Sequence, residues 1–355
     1  VLALAASGPA HAHGDGFMSA DTSGLHVGAD VVVSLGEGGP PFPSRALSGF
    51  LLTGVAPEDR DGLGLEHATL GASLLTEGGV SATFAVGFHD DGEHHVERAW
   101  LGYQAQGQDG TAATPGHAFG VGRRPIPLGD MMGGDGHVEA FGLDPIAKRV
   151  AFDGDWIADG ANLRLVGSSG PLDWQLDAGW WRSDSFPAGS EKAGGPVIHL
   201  GLSLPASQAD VFVARVDVRE RGAFIDRGVS GHTHGSPSCS GSGLQVLCFE
   251  GAATLMGMSV AHRFDDLPLA LSAAAIVRRE HGDLSGTNGS TRYRATVSGA
   301  WLDAAWFVSA DDTLTLRLEH AQAKNSVRGS GASAIARDAG LLPAHDASSA
   351  SVSWV

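Results

Sequence analysis

The chain has 355 residues, with 40 acidic side chains against 23 lysines and arginines and a formal net charge of −17 at pH 7. This length suits two ordinary domains or one large barrel. The acidic balance excludes nucleic acid as an expected partner, because a phosphate backbone requires a basic surface. No apolar run reaches about 18 residues, so a membrane role would fall to strands rather than helices.

Both ends of the sequence suggest missing pieces. Val1–Ala6 is apolar and leads into Ala10-His11-Ala12, which is typical of the end of a secretory signal cut after residue 12. An ordinary frayed terminus is the alternative. Residues 13–23 then form a His-containing leader before a barrel at 24–355. The last strand-like run opens at Ser349, which we interpret as a C-terminal truncation that removes about two strands.

Period-two alternation predicts about 14 strands. In chain order they cover residues 25–35, 63–75, 80–88, 96–105, 118–123, 162–166, 172–181, 197–204, 211–221, 253–264, 269–279, 292–308, 314–321 and a last run from 349.

The stretch 210–221 shows the alternation most clearly. Its apolar face carries Phe212, Ala214, Val216 and Val218, and its other face is mostly charged. Residues 172–180 and 314–320 alternate in the same way, with Leu and Trp on one face and polar side chains on the other. A charged face requires water and an apolar face requires a core or lipid. A soluble sandwich and a membrane barrel both satisfy this demand.

The connections favour the barrel, because they alternate between long and short along the chain. The long ones are 36–62, 124–161, 183–196, 222–251 and 281–291, and the short ones are 77–79, 168–171, 205–208, 265–268 and 309–312. Connections 106–117 and 89–95 depart from the rule. Segregation by length is the plan of an outer-membrane barrel, and nothing in a sandwich imposes it. The prediction is an all-β, transmembrane, antiparallel up-and-down β-barrel, with about 14 of 16 strands present.

Three segments carry a family resemblance: Glu97–Tyr103, Gly120–Gly129, and a loop with Phe141 and Asp153-Gly154. They resemble the front half of porins of the phosphate-selective type. More narrowly, they are similar to a proteobacterial subgroup with His-rich leaders and loops that is linked to zinc regulation. The resemblance is diffuse and covers most of the chain. It implies a porin-like barrel in the outer membrane of a Gram-negative bacterium, with a loop folded into the lumen, for which 124–161 is the candidate.

The candidate pore-lining residues are charged and lie on the expected lumen faces or at the start of the inward loop. They are Arg123, Arg124, Arg164, Asp173, Asp177, Arg215, Asp217, Arg219, Arg221, Arg317 and Glu319. A column of arginine favours anions, whereas interleaved acids suit small polar solutes of either sign, and the net charge favours cations. Arg123 and Arg124 are the candidates for a constriction, with strand capping at the headgroup level as the alternative. The apolar face of 210–221 is expected to contact lipid.

The 16 histidines suggest weak metal capture on long loops of the outer rim. The candidate ligands are His89, Asp91, His94, His95, His232 and His234. The alternative is that exposed loops are simply polar, and isolated histidines such as His199 are not expected to be ligands. No cofactor is required, although zinc could bind weakly. Cys239 and Cys248 favour a disulfide in an exported protein, with a zinc site as the alternative.

These features together predict a porin-like channel for small solutes or ions, with divalent metal captured at the rim. The alternatives are an anion-selective (phosphate) pore, and a secreted β-protein that binds metal or a partner without conduction. No G-x-S-x-G, H-E-x-x-H or Walker motif occurs, so an enzyme is not expected. The expected partners are outer-membrane lipid and small solutes or ions, with a homotrimer as the candidate assembly.

Overall fold

The structure is a computed structural model that describes residues 2–3, 23–36, 49–52, 62–88, 94–105, 116–132, 144–153, 156–224, 239, 246–310, 312–341 and 343–355. Within these ranges the chain forms strands and two short helices. The elements are β1 (Leu2–Ala3), β2 (Gly24–Gly36), β3 (Gly62–Leu75), β4 (Val80–Phe88), β5 (His94–Ala105), β6 (Gly116–Pro125), α1 (Ile146–Phe152), β7 (Ile157–Ser169), β8 (Leu172–Ser183), β9 (Ser190–Leu204), β10 (Ser207–Phe224), β11 (Val246–Arg263), β12 (Leu269–Gly286), β13 (Gly289–Phe307), β14 (Thr313–Arg328), α2 (Ala332–Asp338) and β15 (Ala344–Trp354).

All fifteen described strands belong to one sheet, and each strand pairs with its neighbours in the chain. Every pairing is antiparallel, from β1 with β2 to β14 with β15. The predicted all-β, up-and-down topology is therefore confirmed. Among the described residues no pairing closes the sheet between its two edges. The last strand begins at Ala344, five residues before the predicted start at Ser349.

The connections differ in length at the two ends of the sheet. One end has the turns 76–79, 170–171, 205–206, 264–268 and 308–312, together with the longer connection 106–115. The other end has the long segments 37–61, 126–156, 225–245 and 329–343, together with the shorter connections 89–93, 184–189 and 287–288. We call these ends the short rim and the long rim. Two predicted long connections are wrong. The connection 183–196 shrinks to 184–189 because β9 begins at Ser190, and 281–291 is replaced by a two-residue turn at Thr287 and Asn288 because β12 and β13 extend. His281 therefore lies on a strand.

One face of the sheet, which we call the outer face, exposes large apolar side chains on nearly every strand. They include Leu70, Phe84, Leu101, Phe119, Leu163, Trp180, Ile198, Val211, Met258, Leu302, Leu316 and Val352. Exposed Tyr103, Trp306 and Trp354 lie next to connections of the short rim. An apolar band with aromatic residues at its border is what a membrane barrel presents to lipid.

The opposite, inner face packs against segments 126–132 and 144–153. Helix α1 contacts β12, β13 and β14, and six of its seven residues are buried. The carboxylate of Glu319 on β14 accepts a hydrogen bond of 2.5 Å from the backbone N–H of Ile146. Gly299 on β13 faces Ala147 so closely that a Cβ at position 299 would lie 2.6 Å from the Ala147 Cβ. A carboxylate and a glycine of the wall thus hold the helix against the sheet.

Neither described helix is long and apolar enough to cross a bilayer.

The face assignment predicted for β10 is wrong. Its four apolar residues, expected to meet lipid, are buried on the inner face: Phe212, Ala214, Val216 and Val218. The Phe212 ring lies 6.2 Å from the ring of Phe152 in α1. Because α1 provides an apolar cover inside, an apolar set on this wall has a core to join without facing lipid.

The predicted pore-lining residues Arg215, Asp217 and Arg219 lie on the outer face of β10. They follow Val211 and Val213, which are exposed on the same face nearer the short rim. The outer face of β10 is therefore apolar in its first half and charged in its second, beyond the apolar band.

We expect Phe212→Ala to reduce the free energy of unfolding by about 3 to 5 kcal/mol, because the buried ring leaves a cavity. Val213→Ala, on the outer face, should reduce the free energy of unfolding by much less. Urea titrations of the protein folded into lipid vesicles measure both. Equal losses for the two variants would contradict the reversed face assignment.

Candidate functional site

A polar cavity of about 400 Å³ opens at the short rim. Its lining residues come from β7, β8, β9, β10 and the segment after β6, and include Asp130, Ser168, Asp173, Gln175, His199, Ser203, Gln208 and Asp210. Three of these side chains are carboxylates and one is a histidine. The lining is therefore rich in oxygen acceptors, which suits a hydrated cation or a polar solute better than an anion.

His199 connects two carboxylates of this region. Its Nε2 lies 2.9 Å from Asp210 Oδ1, and its Nδ1 lies 3.3 Å from Asp177 Oδ2. Only a ring that carries both protons can donate to the two carboxylates at once. His199 and both acids are buried on the inner face, so the group bridges three adjacent strands, β8, β9 and β10.

Asp177 is the acceptor on which the neighbouring polar groups converge. Its Oδ1 accepts hydrogen bonds of 2.8 Å from Asn162 Nδ2 and 2.8 Å from Arg164 Nε. Its Oδ2 accepts one of 2.6 Å from Gln175 Nε2. A buried carboxylate is tolerated only when its lone pairs are occupied in this way.

The segment after β6 covers the cavity from the inside. Gly129, with φ of +93°, lies so close to Asp210 that an added Cβ would stand 2.6 Å from the Asp210 Cβ. Asp130 accepts a hydrogen bond of 2.8 Å from Gln208 Nε2. The apolar residues Ile126 and Leu128 are buried in the core on the way to this turn. The turn at Gly129 thus places the carboxylate of Asp130 over the cavity.

A second charged cluster lies on the inner face towards the long rim. Arg221 Nη1 donates a hydrogen bond of 2.5 Å to Glu280 Oε1, and Arg278 Nη1 lies 3.7 Å from the same oxygen. Both guanidinium groups lie 4.4 Å from the ring centre of Phe186. Two guanidinium groups therefore share one carboxylate in this cluster.

The predicted pore-lining residues divide between the two faces. Seven lie on the inner face: Arg124, Arg164, Asp173, Asp177, Arg221, Arg317 and Glu319. Arg317 is bound to Asp303 through Nε at 2.8 Å and Nη2 at 2.9 Å. Arg123 shares the outer face with exposed Val121 and contacts Asp159 at 3.1 Å. Its predicted place in a constriction is therefore wrong, as it is for Arg215, Asp217 and Arg219.

Most of the predicted metal ligands lie outside the described residues: His89, Asp91, His232 and His234. His94 is exposed at the start of β5, and His95 Nε2 lies 3.4 Å from Glu97 Oε1. Within the described ranges no group of three or more His, Cys, Asp or Glu side chains is arranged to hold a metal ion. Metal capture stays a prediction.

Cys239 and Cys248 form a disulfide, with a distance of 5.7 Å between their Cα atoms. The bridge ties the long-rim segment that precedes β11 to the strand itself. Because both thiols are used, the alternative zinc site at this pair has no thiolate ligand.

The sequence alone does not indicate the central role of His199 or the contribution of Asp130 and Asp210. His199 stands two residues after Val197 on a face that is otherwise small or apolar. Asp177 and Asp210 could have indicated a polar group on the inner face, since each lies at an inward position on a strand that pairs with β9. Only the register between strands brings the three side chains together.

No family model and no curated protein matches the chain. Among solved structures it is similar to a loop L8 deletion mutant of OmpT, an outer membrane protein of Vibrio cholerae, with 14% identity, 76% of this chain and 78% of that chain covered, and a TM-score of 0.49. Outer-membrane expressed OmpT of Vibrio cholerae has 11% identity, 94% and 97% coverage and a TM-score of 0.36. An anion-selective porin from Comamonas acidovorans has 12% identity, 76% and 83% coverage and a TM-score of 0.29. No ligand or activity is transferred at this level of similarity, and the narrower phosphate-selective resemblance stays a hypothesis.

Asp177→Ala should destabilise the protein by about 3 to 5 kcal/mol, because it leaves buried donors without their charged acceptor. Asp173→Ala removes an exposed carboxylate from the same strand and should cost less than about 1 kcal/mol. Urea unfolding in vesicles compares the two. A similar small loss for both variants would mean that the His199 network contributes little to the fold.

Proposed function

We propose that this protein is a porin-like channel of the outer membrane that passes small polar solutes and favours cations. The observation that carries the proposal is the sidedness of the sheet. Its outer face is an apolar band, while its inner face carries buried ion pairs and a polar cavity. An apolar outer face, with charged groups on the inner face beside the apolar contacts of α1, suits a wall between lipid and a wet lumen.

The preference for cations rests on the lining of the short-rim cavity. Asp130, Asp173 and Asp210 face it, and His199 is its one basic lining residue. Carboxylates that line a narrow opening raise the local concentration of cations and repel anions. The net charge of −17 acts in the same direction.

An anion-selective pore is the second candidate. The Arg221 and Arg278 pair supports it, because two guanidinium groups share one carboxylate. Both side chains are packed in the apolar core rather than along the short-rim cavity. The cavity lining therefore carries more weight in our proposal than this cluster.

Metal capture at the long rim is a separate hypothesis that rests on the sequence. It needs His94 and His95 at the start of β5 together with neighbours in 89–93. Calorimetric titration would compare the zinc affinity of the native chain with that of a variant carrying His94→Ala, His95→Ala, His232→Ala and His234→Ala. We expect weaker zinc binding in the variant, and an unchanged affinity would remove the hypothesis.

We expect planar-bilayer recordings in a potassium chloride gradient to give a reversal potential that indicates cation preference. The Asp130→Asn, Asp173→Asn variant should reduce the ratio of cation to anion permeability roughly two- to fivefold, since one nearby charge contributes up to about 1 kcal/mol. The control, Asp217→Asn with Asp283→Asn, removes two exposed acids of the outer face. Anion preference in the native chain would favour the second candidate, and absence of conductance would favour a non-conducting β-protein.

The packing of α1 on the inner wall also predicts a gain of conductance on its displacement. Gly299→Val would push a side chain into Ala147 and should raise single-channel conductance, because the helix no longer fits against β13. Ser298→Val, one residue earlier and on the outer face, is the matched control. Unchanged conductance in Gly299→Val, with the helix shown to be displaced by limited proteolysis, would mean that α1 does not restrict the lumen.

A further inference from the structure

The outer face of β10–β14 carries a row of polar side chains in exact cross-strand register. Arg215 is paired with Thr254, Thr254 with Arg279, Arg279 with Thr296, and Thr296 with Lys324. We call these five residues the basic row. Four of them are exposed, and Thr254 is half-buried. Because neighbouring strands lie about 4.8 Å apart, the three cations stand about 10 Å apart with a hydroxyl between each pair.

The basic row is unusual in a chain with a net charge of −17, since it contains no acid. Among the described residues no ion pair or hydrogen bond is found for the side chains of Arg215, Arg279 or Lys324. The acid closest along β10, Asp217, is already bound to Arg219 at 3.2 Å. The next register line towards the long rim adds Arg294 as a further cation. The cations of the row are therefore available to an anion from outside.

On β10, β11 and β12 the basic row lies at the border of the apolar band that faces the long rim. The next outward positions towards the short rim are Val213, Met256 and Val277. In a membrane protein this border is the level at which acyl chains end and lipid headgroups begin. A molecule that contacts both rows must combine apolar chains with an anionic head.

We infer that the basic row binds the phosphate groups of lipids in the leaflet on the long-rim side, with their acyl chains against Val213, Met256 and Val277. This inference rests on the membrane placement proposed above. Arginine donates two parallel hydrogen bonds to a phosphate, and the intervening threonine hydroxyls add a donor between the cations. Charge complementarity and continuity with the apolar band select a phosphorylated lipid over a soluble anion.

The test uses the full chain refolded in detergent micelles, with dioleoyl phosphatidic acid or dioleoyl phosphatidylcholine added, and native mass spectrometry to count retained lipids. The native chain should retain phosphatidic acid in preference to phosphatidylcholine. A triple variant, Arg215→Gln, Arg279→Gln, Lys324→Gln, should lose this preference by on the order of a hundredfold, since each cation near a membrane surface contributes roughly fivefold. Arg215→Lys with Arg279→Lys keeps the charge and should retain most of the preference.

The matched control removes three exposed cations from elsewhere in the described chain: Arg182→Gln, Lys192→Gln and Arg337→Gln. It has the same net charge as the triple variant and should keep the lipid preference. An equal loss in the control would overturn the inference, because overall charge would then explain the effect. Displacement of the lipid by inorganic phosphate at equal concentration would overturn the assignment to a lipid.

Bilayer conductance of the same samples separates the two proposals. A native chain that conducts but shows no preference for phosphatidic acid overturns the basic row as a lipid site and leaves the channel intact. A native chain that neither inserts into vesicles nor retains lipid overturns both. Conductance equal to that of the native chain in a triple variant that has lost its lipid preference supports the inference, since folding and insertion are then preserved.

Discussion

The contact of segments 126–132 and 144–153 with the inner wall is the constraint on which the rest of the structure depends. Glu319 accepts the backbone N–H of Ile146, Gly299 leaves room for Ala147, and Phe152 packs on Phe212. These contacts create an apolar layer at mid-height inside the sheet. The layer separates a polar cavity at the short rim from the arginine cluster nearer the long rim. In the channel that we propose, a solute would therefore pass beside α1 or displace it.

This inner layer explains which parts of the fold the sequence predicts. Strand positions follow from period-two alternation, and all strands from β2 onwards overlap their predicted ranges. Four of them, β9, β11, β12 and β14, extend seven residues further towards the long rim. Faces are predicted correctly where the inner surface is polar, as on β14, where Leu316 faces outward and Arg317 faces inward. On β10 the rule fails, because α1 turns the inner surface apolar. Alternation distinguishes two faces, but it cannot say which of two apolar environments covers one of them.

The candidate site is less predictable than the fold, because it depends on register between strands. His199 is one residue among 16 histidines, and nothing local marks it. It becomes a bridge only because β8 and β10 carry Asp177 and Asp210 within reach of its two ring nitrogens. Asp130 reaches the cavity through the turn at Gly129, whose positive φ no pattern of hydrophobicity encodes. The acidic lining of the short rim is therefore a tertiary property.

A single β-bulge accounts for the charge at the other end of the inner face. Between Val218 and Arg221 the register with β11 shifts by one residue, and Glu220 takes a φ of +51°. Without the bulge Arg221 would point outward like Arg219, whereas here it enters the core and meets Glu280. A guanidinium in an apolar core must be paired, and its ring contacts with Phe186 and Phe249 cover the remaining surface. Arg278 shares the same carboxylate, whereas acids dominate the lining of the cavity at the short rim. The one extra residue in β10 thus places a second guanidinium beside Glu280 on the inner face, where strict alternation would have left Arg221 on the outer face.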